Sequence, residues 1–243
     1  MKSSEELEQL MKNLHLHHMW SMYPEQVAAA EKEDISYGDF LTRLLRAQWH
    51  HNREGALARR IKRAHLPENW SLATFPWNRQ PGVSRKQINT LAELDFIAKA
   101  ENLVFIGKTG VGKSGLASGL LLKALENGYT GAFIRAQDLF DEMYNSLADR
   151  SSRKLLNRLI KLQCLMIDEM GYLNVKPEQS NIFFKLIEER HHRRSTIITT
   201  NLDYTEWAGF LGNPRMVDAL LSRVRQYCHT IRIEGPNLTE PQG

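Results

Sequence analysis

The chain has 243 residues, of which 42% are hydrophobic and 25% charged, and a net charge of +4. That length can bury a sizeable core and still leave a smaller second domain, while no apolar run approaches the roughly 18 residues that a bilayer span requires. The weak excess of base does not by itself mark a nucleic-acid binder, and two cysteines far apart, Cys164 and Cys228, exclude a disulfide framework or a cysteine-based zinc site and are expected as buried thiols.

The first stretch, MKSSEELEQLMKNL, carries acids in an amphipathic pattern where a secretory leader would show a basic start and a plain apolar run, so a cytoplasmic protein with no membrane segment is expected. Leu7, Leu10, Met11 and Leu14 recur at helical spacing. After a break expected at Tyr37-Gly38-Asp39 a second set follows, Phe40, Leu41, Leu44 and Leu45, then Leu57 and Ile61, giving two or three helices. Between Leu41 and His65 seven basic residues face the single acid Glu54, with Trp49 among them. His15, His17 and His18 have no cysteine or acid beside them to complete a ligand set, so they read as a helix surface.

Near residue 70 the pattern changes to PENWSLATFPWNRQPG, rich in proline and turn formers, which reads as a linker. It separates a helical domain over 1–66 from a larger domain over 67–243. In the larger one, short apolar β-rich runs at Leu103–Ile106, Ala132–Ile134, Cys164–Ile167, Thr196–Thr199 and Thr230–Ile233 alternate with amphipathic helical stretches. Alternation of this kind predicts an α/β fold, a parallel sheet flanked by helices on both faces.

GKTGVGKS, from Gly107 to Ser114, fits the spacing GxxxxGK[ST] and stands between the strand LVFI and the helix GLASGLLLKALENG. Gly107, Gly110 and Gly112 allow positive φ and close backbone approach, so that successive N–H groups along Gly107, Lys108, Thr109, Gly110, Val111, Gly112, Lys113, Ser114 and Gly115 can encircle an anion at a helix start. The pattern predicts a phosphate loop in which Lys113 reaches the β and γ oxygens and Ser114 places its hydroxyl on Mg2+.

QCLMIDEMGYL supplies the matching acids, expected one strand over: Asp168 for the Mg2+ shell and Glu169 as the base that polarises a water for attack on the γ-phosphate. No [NT]KxD stretch for reading guanine occurs, which leaves ATP as the expected nucleotide. RRSTIITTNLDYTEW brings Thr199, Thr200 and Asn201 to a strand end, with Asn201 the first choice as γ-phosphate sensor and Thr200 the second. RSSRKLLNRLIKL reads as an amphipathic helix whose basic face carries Arg153, Lys154, Arg158 and Lys161, opposed by Leu155, Leu156, Leu159 and Ile160; Arg150 opens the cluster.

The phosphate loop, DEMGYL, SNIFFKLIEERHHRRSTIITTN and DALLSRV together resemble the AAA+ P-loop ATPases of the IstB type, helper proteins of bacterial insertion sequences that are similar to the DnaC helicase loaders. The likeness covers about residue 60 to about residue 235. It implies an ATP-hydrolysing homo-oligomer that binds double-stranded DNA and targets and stimulates a cognate transposase; the alternative it carries is a DnaC-like replicative helicase loader, and a third class is an ATP-gated scaffold. It also implies that Arg223, in Leu221-Ser222-Arg223-Val224, acts as a finger on the neighbouring subunit's nucleotide, with Arg225 as its competitor. By the same likeness Arg150, Arg153, Lys154, Arg158 and Lys161 are the DNA contacts, and the basic N-terminal stretch meets DNA or the transposase. Only EGPNLTEPQG follows Ile233, so little or no C-terminal helical lid, and no lid-borne second sensor, is expected.

Overall fold

The computed structural model describes residues 2–67, 70–171, 173 and 175–239. The chain divides into two compact units, Met1–Arg59 and Arg60–Gly243.

The first unit holds α1 (Lys2–Asn13), α2 (His17–Glu33) and the start of α3 (Tyr37–Ala64). Met11, Met19 and Leu44 form its buried centre, with Leu7, Trp20, Tyr23 and Phe40 packed around them. The break lies earlier than the sequence predicts. Asp34 turns the chain at φ +49°, and Ser36 caps α3 by accepting the Asp39 amide on its hydroxyl at 3.1 Å while donating to the Asp39 carboxylate at 2.7 Å. Tyr37-Gly38-Asp39 is therefore the first turn of α3; the glycine that suggested a break is tolerated because the Ser-x-x-Asp cap supplies the start signal.

The second unit runs α4 (Arg85–Leu91), α5 (Asp95–Ala98), β1 (Asn102–Gly107), α6 (Lys113–Glu126), β2 (Gly131–Arg135), α7 (Ala136–Ala148), α8 (Ser152–Lys161), β3 (Cys164–Met170), α9 (Pro177–Arg190), β4 (Ser195–Thr200), α10 (Trp207–Leu211), α11 (Pro214–Gln226) and β5 (Cys228–Ile233). Among the described residues the strands form one sheet in the order β2-β3-β4-β1-β5, every pairing parallel. All five predicted runs lie within these strands. The buried strands alternate faces at period two. Val104, Ile106, Leu165, Ile167 and Ile198 point to the layer of α7 through α11, whereas Met166 points the other way and meets the Ser118 hydroxyl of α6. Cys164 is fully buried, and its thiol is pushed up to about 12 by that burial; Cys228 is half-buried.

Arg190 closes the bottom of this layer. Its guanidinium, buried at the end of α9, donates to the Thr196 hydroxyl at 3.0 Å and to the main-chain carbonyls of Leu159, Leu162 and Ser195. Burial pulls its pKa down to about 10, far enough above neutrality for the charge to persist. Because the strands are parallel, their carboxyl ends all emerge at the opposite edge, where the chemistry-bearing residues collect.

Candidate nucleotide-binding site

β1 ends at Gly107 and α6 begins at Lys113, so the predicted phosphate loop spans the last residue of β1, the intervening turn and the first residues of α6. Gly110 and Gly112 take φ of +83° and +93°, a region that side chains reach at a cost, and Gly112 caps α6. The Lys113 ammonium folds back over the loop and donates to the carbonyls of Gly107 (2.8 Å) and Lys108 (2.7 Å). Its pKa is lowered by burial, against which the negative charges of Asp168 and Glu169 push it back up.

The acid pair is two strands from the loop, not one, because β4 inserts between β1 and β3. Asp168 still reaches across: its Oδ1 accepts from the Ser114 hydroxyl at 2.8 Å and from the Thr199 hydroxyl of β4 at 2.5 Å. A hydroxyl and a carboxylate oxygen are the hard donors that Mg2+ selects, and adjacent ligands of an octahedron with its bond lengths lie about 2.9 Å apart. Ser114 and Asp168 thus match one edge of such a site with little rearrangement.

β3 does not end at Ile167 as predicted but runs to Met170, with an irregular register against β4 between Ile167 and Met170. The irregularity is Glu169, in the left-handed region at φ +58°, its amide donating to the Thr199 hydroxyl at 3.0 Å. One threonine hydroxyl therefore fixes both acids, the buried Asp168 and the exposed Glu169 beside it. Tyr172 of the DEMGYL stretch lies outside the described residues.

A cavity of about 540 Å³ joins these groups. The phosphate loop and the start of α6, the polar Asp168, Glu169, Thr200 and Asn201, and the apolar Trp70, Phe75, Pro76 and Leu238 line it. Among the described residues Asn201 Oδ1 is buried without a hydrogen-bond partner, whereas the Thr200 hydroxyl accepts the Leu202 amide at 3.0 Å and serves a turn. Thr109, Gly110, Gly112, Lys113, Ser114 and Gly115 all line the space.

Arg223 does not line it. On α11 it donates to Glu188 at 3.2 Å and to the Ala219 carbonyl at 3.0 Å, with its guanidinium over the Phe184 ring; Arg225 lies over Tyr204. The basic cluster is the helix its pattern predicts: Leu155, Leu156 and Leu159 are buried while Arg153, Lys154, Arg158 and Lys161 are exposed, Arg158 in an ion pair with Glu142. Arg150 precedes that helix at φ +59°.

Several residues here escape sequence reading. Thr199 reads as an ordinary β-branched strand former, the linker residues Trp70, Phe75 and Pro76 read as a loop, and Arg135 at the end of β2, in register with Asp168, sits in no recognised pattern although it lines the cavity. Leu238 and Thr239 come from the tail after Ile233, which the sequence reading found too short for a helical lid and gave no role at the site.

Comparison with known proteins agrees with this architecture. The chain is 31% identical over 231 residues to the protein named as ATP-binding in insertion sequence IS5376 of Geobacillus stearothermophilus, covering 95% of this chain and 92% of that one. With its counterpart from insertion sequence IS21 of Pseudomonas aeruginosa it shares 30% over 230 residues, 95% of this chain and 87% of that one. Among solved structures, the DnaC helicase loader superposes with a TM-score of 0.59 at 23% identity over 69% of this chain and 98% of that one, and DnaI with 0.59 at 23% over 68% and 92%. The fold of the second unit is thus that of the AAA+ P-loop NTPases. The model of the IstB-like ATP binding proteins matches residues 9–240, and the chain, with its phosphate loop and joined serine and aspartate, belongs to that family.

Proposed function

We propose that this ATP-binding protein is an ATPase that assembles on duplex DNA in its ATP-bound state and assists a cognate transposase in choosing and activating its target, hydrolysis resetting the assembly. The observation that carries the reading is the bond between Ser114 of the phosphate loop and Asp168 of β3, with Glu169 held beside it by Thr199. The residues over 67–243 are the ATPase domain, and those over 1–66 the unit that meets DNA or the transposase, all within the cytoplasm.

In this reading the amides of the loop and Lys113 hold the β- and γ-phosphates, Lys113 leaving its two carbonyl partners for phosphate oxygens. Ser114 and Asp168 would hold Mg2+, which would supply neutralisation of the charge developing on the transferred phosphate. Glu169 accepts a proton from water as the water oxygen bonds to the γ-phosphorus; the bond from that phosphorus to the bridging oxygen breaks, releasing phosphate and ADP. Asn201, which lines the cavity, reports whether the γ-phosphate is there by donating from its side-chain amide nitrogen. Arg223 works on a neighbouring copy's nucleotide, which makes turnover depend on assembly.

Arg150, Arg153, Lys154, Arg158 and Lys161 supply the sequence-independent phosphate contacts to DNA. Electron microscopy of the protein with ATP and duplex DNA tests the reading: ordered assemblies on DNA are expected for the natural chain and none for Lys113→Ala. Equal assemblies without nucleotide overturn it.

A further inference from the structure

The phosphate loop carries three glycines, so its peptide planes have little side-chain packing to hold them. A peptide plane that flips at a glycine meets no steric resistance from a Cβ and turns a carbonyl oxygen toward the space where an anion should sit. Something must therefore hold these planes: Lys113 of the loop itself holds the Gly107 and Lys108 carbonyls, and the bonds on Gly110 and Val111 come from outside the loop.

The Gly110 carbonyl accepts the amide of Leu238 at 2.8 Å, and the Val111 carbonyl accepts Nε2 of Gln80 at 2.9 Å. In a trans peptide the N–H points opposite to the C=O, and no cis bond occurs among the described residues. Those two bonds therefore aim the amides of Val111 and Gly112 away from Leu238 and Gln80.

Gln80 is itself built in. It is almost fully buried, its second Nε2 hydrogen goes to the Pro236 carbonyl at 3.2 Å, and its Oε1 accepts the Gly82 amide at 3.1 Å. The tail meets it closely: a Cβ on Gly235 would lie 1.7 Å from that Oε1, and a Cβ on Gly110 would lie 1.8 Å from Oδ1 of Asn237. Arg79 adds a bond to the Leu238 carbonyl at 3.3 Å. β5 delivers this segment to the site because it pairs with β1 as far as Gly107, opposite Ile233.

We infer that Gln80 and the segment Gly235–Thr239 form a clasp that holds the Gly110 and Val111 peptide planes in the anion-receiving orientation, making Gln80 a positioning residue for triphosphate binding. The inference rests on the reading of the loop as a triphosphate site. It assigns the tail a task distinct from lining the apolar wall of the cavity with Leu238: the clasp acts on the amides that read phosphate, so its loss weakens any polyphosphate, with or without a base.

The test compares four proteins by calorimetry with Mg·ATP and with Mg·tripolyphosphate: the natural chain, Lys113→Ala, Gln80→Met, which keeps the side chain's bulk and removes its donor, and a chain ending at Gly235. Gln80→Met and the shortened chain are each expected to weaken both ligands by the same factor, about tenfold, the size of one to two hydrogen bonds. In turnover assays the effect falls on KM more than on kcat. Weakened ATP binding with unchanged tripolyphosphate binding overturns the clasp and leaves Leu238 as a wall for the base. Unchanged binding of both ligands in the shortened chain also overturns it, and does not depend on how well Gln80→Met folds. A natural chain that binds neither ligand, or Lys113→Ala that binds both normally, overturns the triphosphate reading itself and the clasp with it.

Discussion

Thr199→Val is the substitution that most directly probes the site, because valine keeps the shape of threonine and removes its hydroxyl. That hydroxyl is fully buried, donates to Asp168 and accepts the Glu169 amide. A hydrogen bond to a charged group contributes about 1.5–3 kcal/mol, and a buried amide left without an acceptor costs about 1–3 kcal/mol. The added methyl group returns about 1 kcal/mol, so a net loss of about 3 kcal/mol is expected. For a unit of this size that lowers the melting temperature by about 6–12 °C, read by calorimetry. The stronger assay is a double-mutant cycle with Asp168→Ala. If the threonine acts through the aspartate, the two losses overlap and the coupling exceeds about 1 kcal/mol, whereas independent sites add to within about 0.5 kcal/mol. Additive losses, or a Thr199→Val protein that melts with the parent, refute the idea that one hydroxyl fixes both acids.

Glu169→Gln should retain ATP affinity and lose turnover by about 10²–10⁴, trapping DNA complexes that single-turnover assays will count; unchanged turnover removes Glu169 as the base. Lys113 has a pKa lowered from 10.5 by burial, and phosphates raise it again on binding, so ATP binding should take up protons as pH climbs toward that range and affinity should fall as pH rises through the folded pKa. Calorimetry in buffers of different ionisation enthalpy measures this uptake, which Lys113→Arg should lack. Charge reversal at Arg153 and Lys154 should cut the slope of log K against log salt for duplex DNA by about 2 or more, with ATP affinity untouched. Mixing Arg223→Ala with Lys113→Ala protein should recover some hydrolysis at mixed interfaces. The partly exposed pair of Arg223 with Glu188 contributes at most about 1 kcal/mol, so the single variant should melt close to the parent.

What the sequence reveals and what it conceals divide along a physical line. The strands were legible because buried parallel strands are short runs of Val, Ile, Leu and Phe, and the phosphate loop was legible because its spacing places a lysine and a serine at one helix start. The order of strands was not: β4 entering between β1 and β3 is a tertiary fact, and it makes Thr199 the bridge between two acids that neighbour it only in space. Glu169 gave no sign of its left-handed backbone, since that conformation is imposed by the register slip of β3 against β4. The tail shows the same limit most clearly. Its bonds to Gly110, and those of Gln80 to Val111, end on main-chain carbonyls, which every residue possesses, so no residue type at either end need be distinctive. A motif identifies side chains that can touch a ligand; the bonds that orient backbone around that ligand can come from almost any amide or amide side chain the fold brings near. Loops that bind through backbone N–H groups should therefore have supporting residues that pattern searches overlook, and these are to be found by tracing where each loop carbonyl is satisfied.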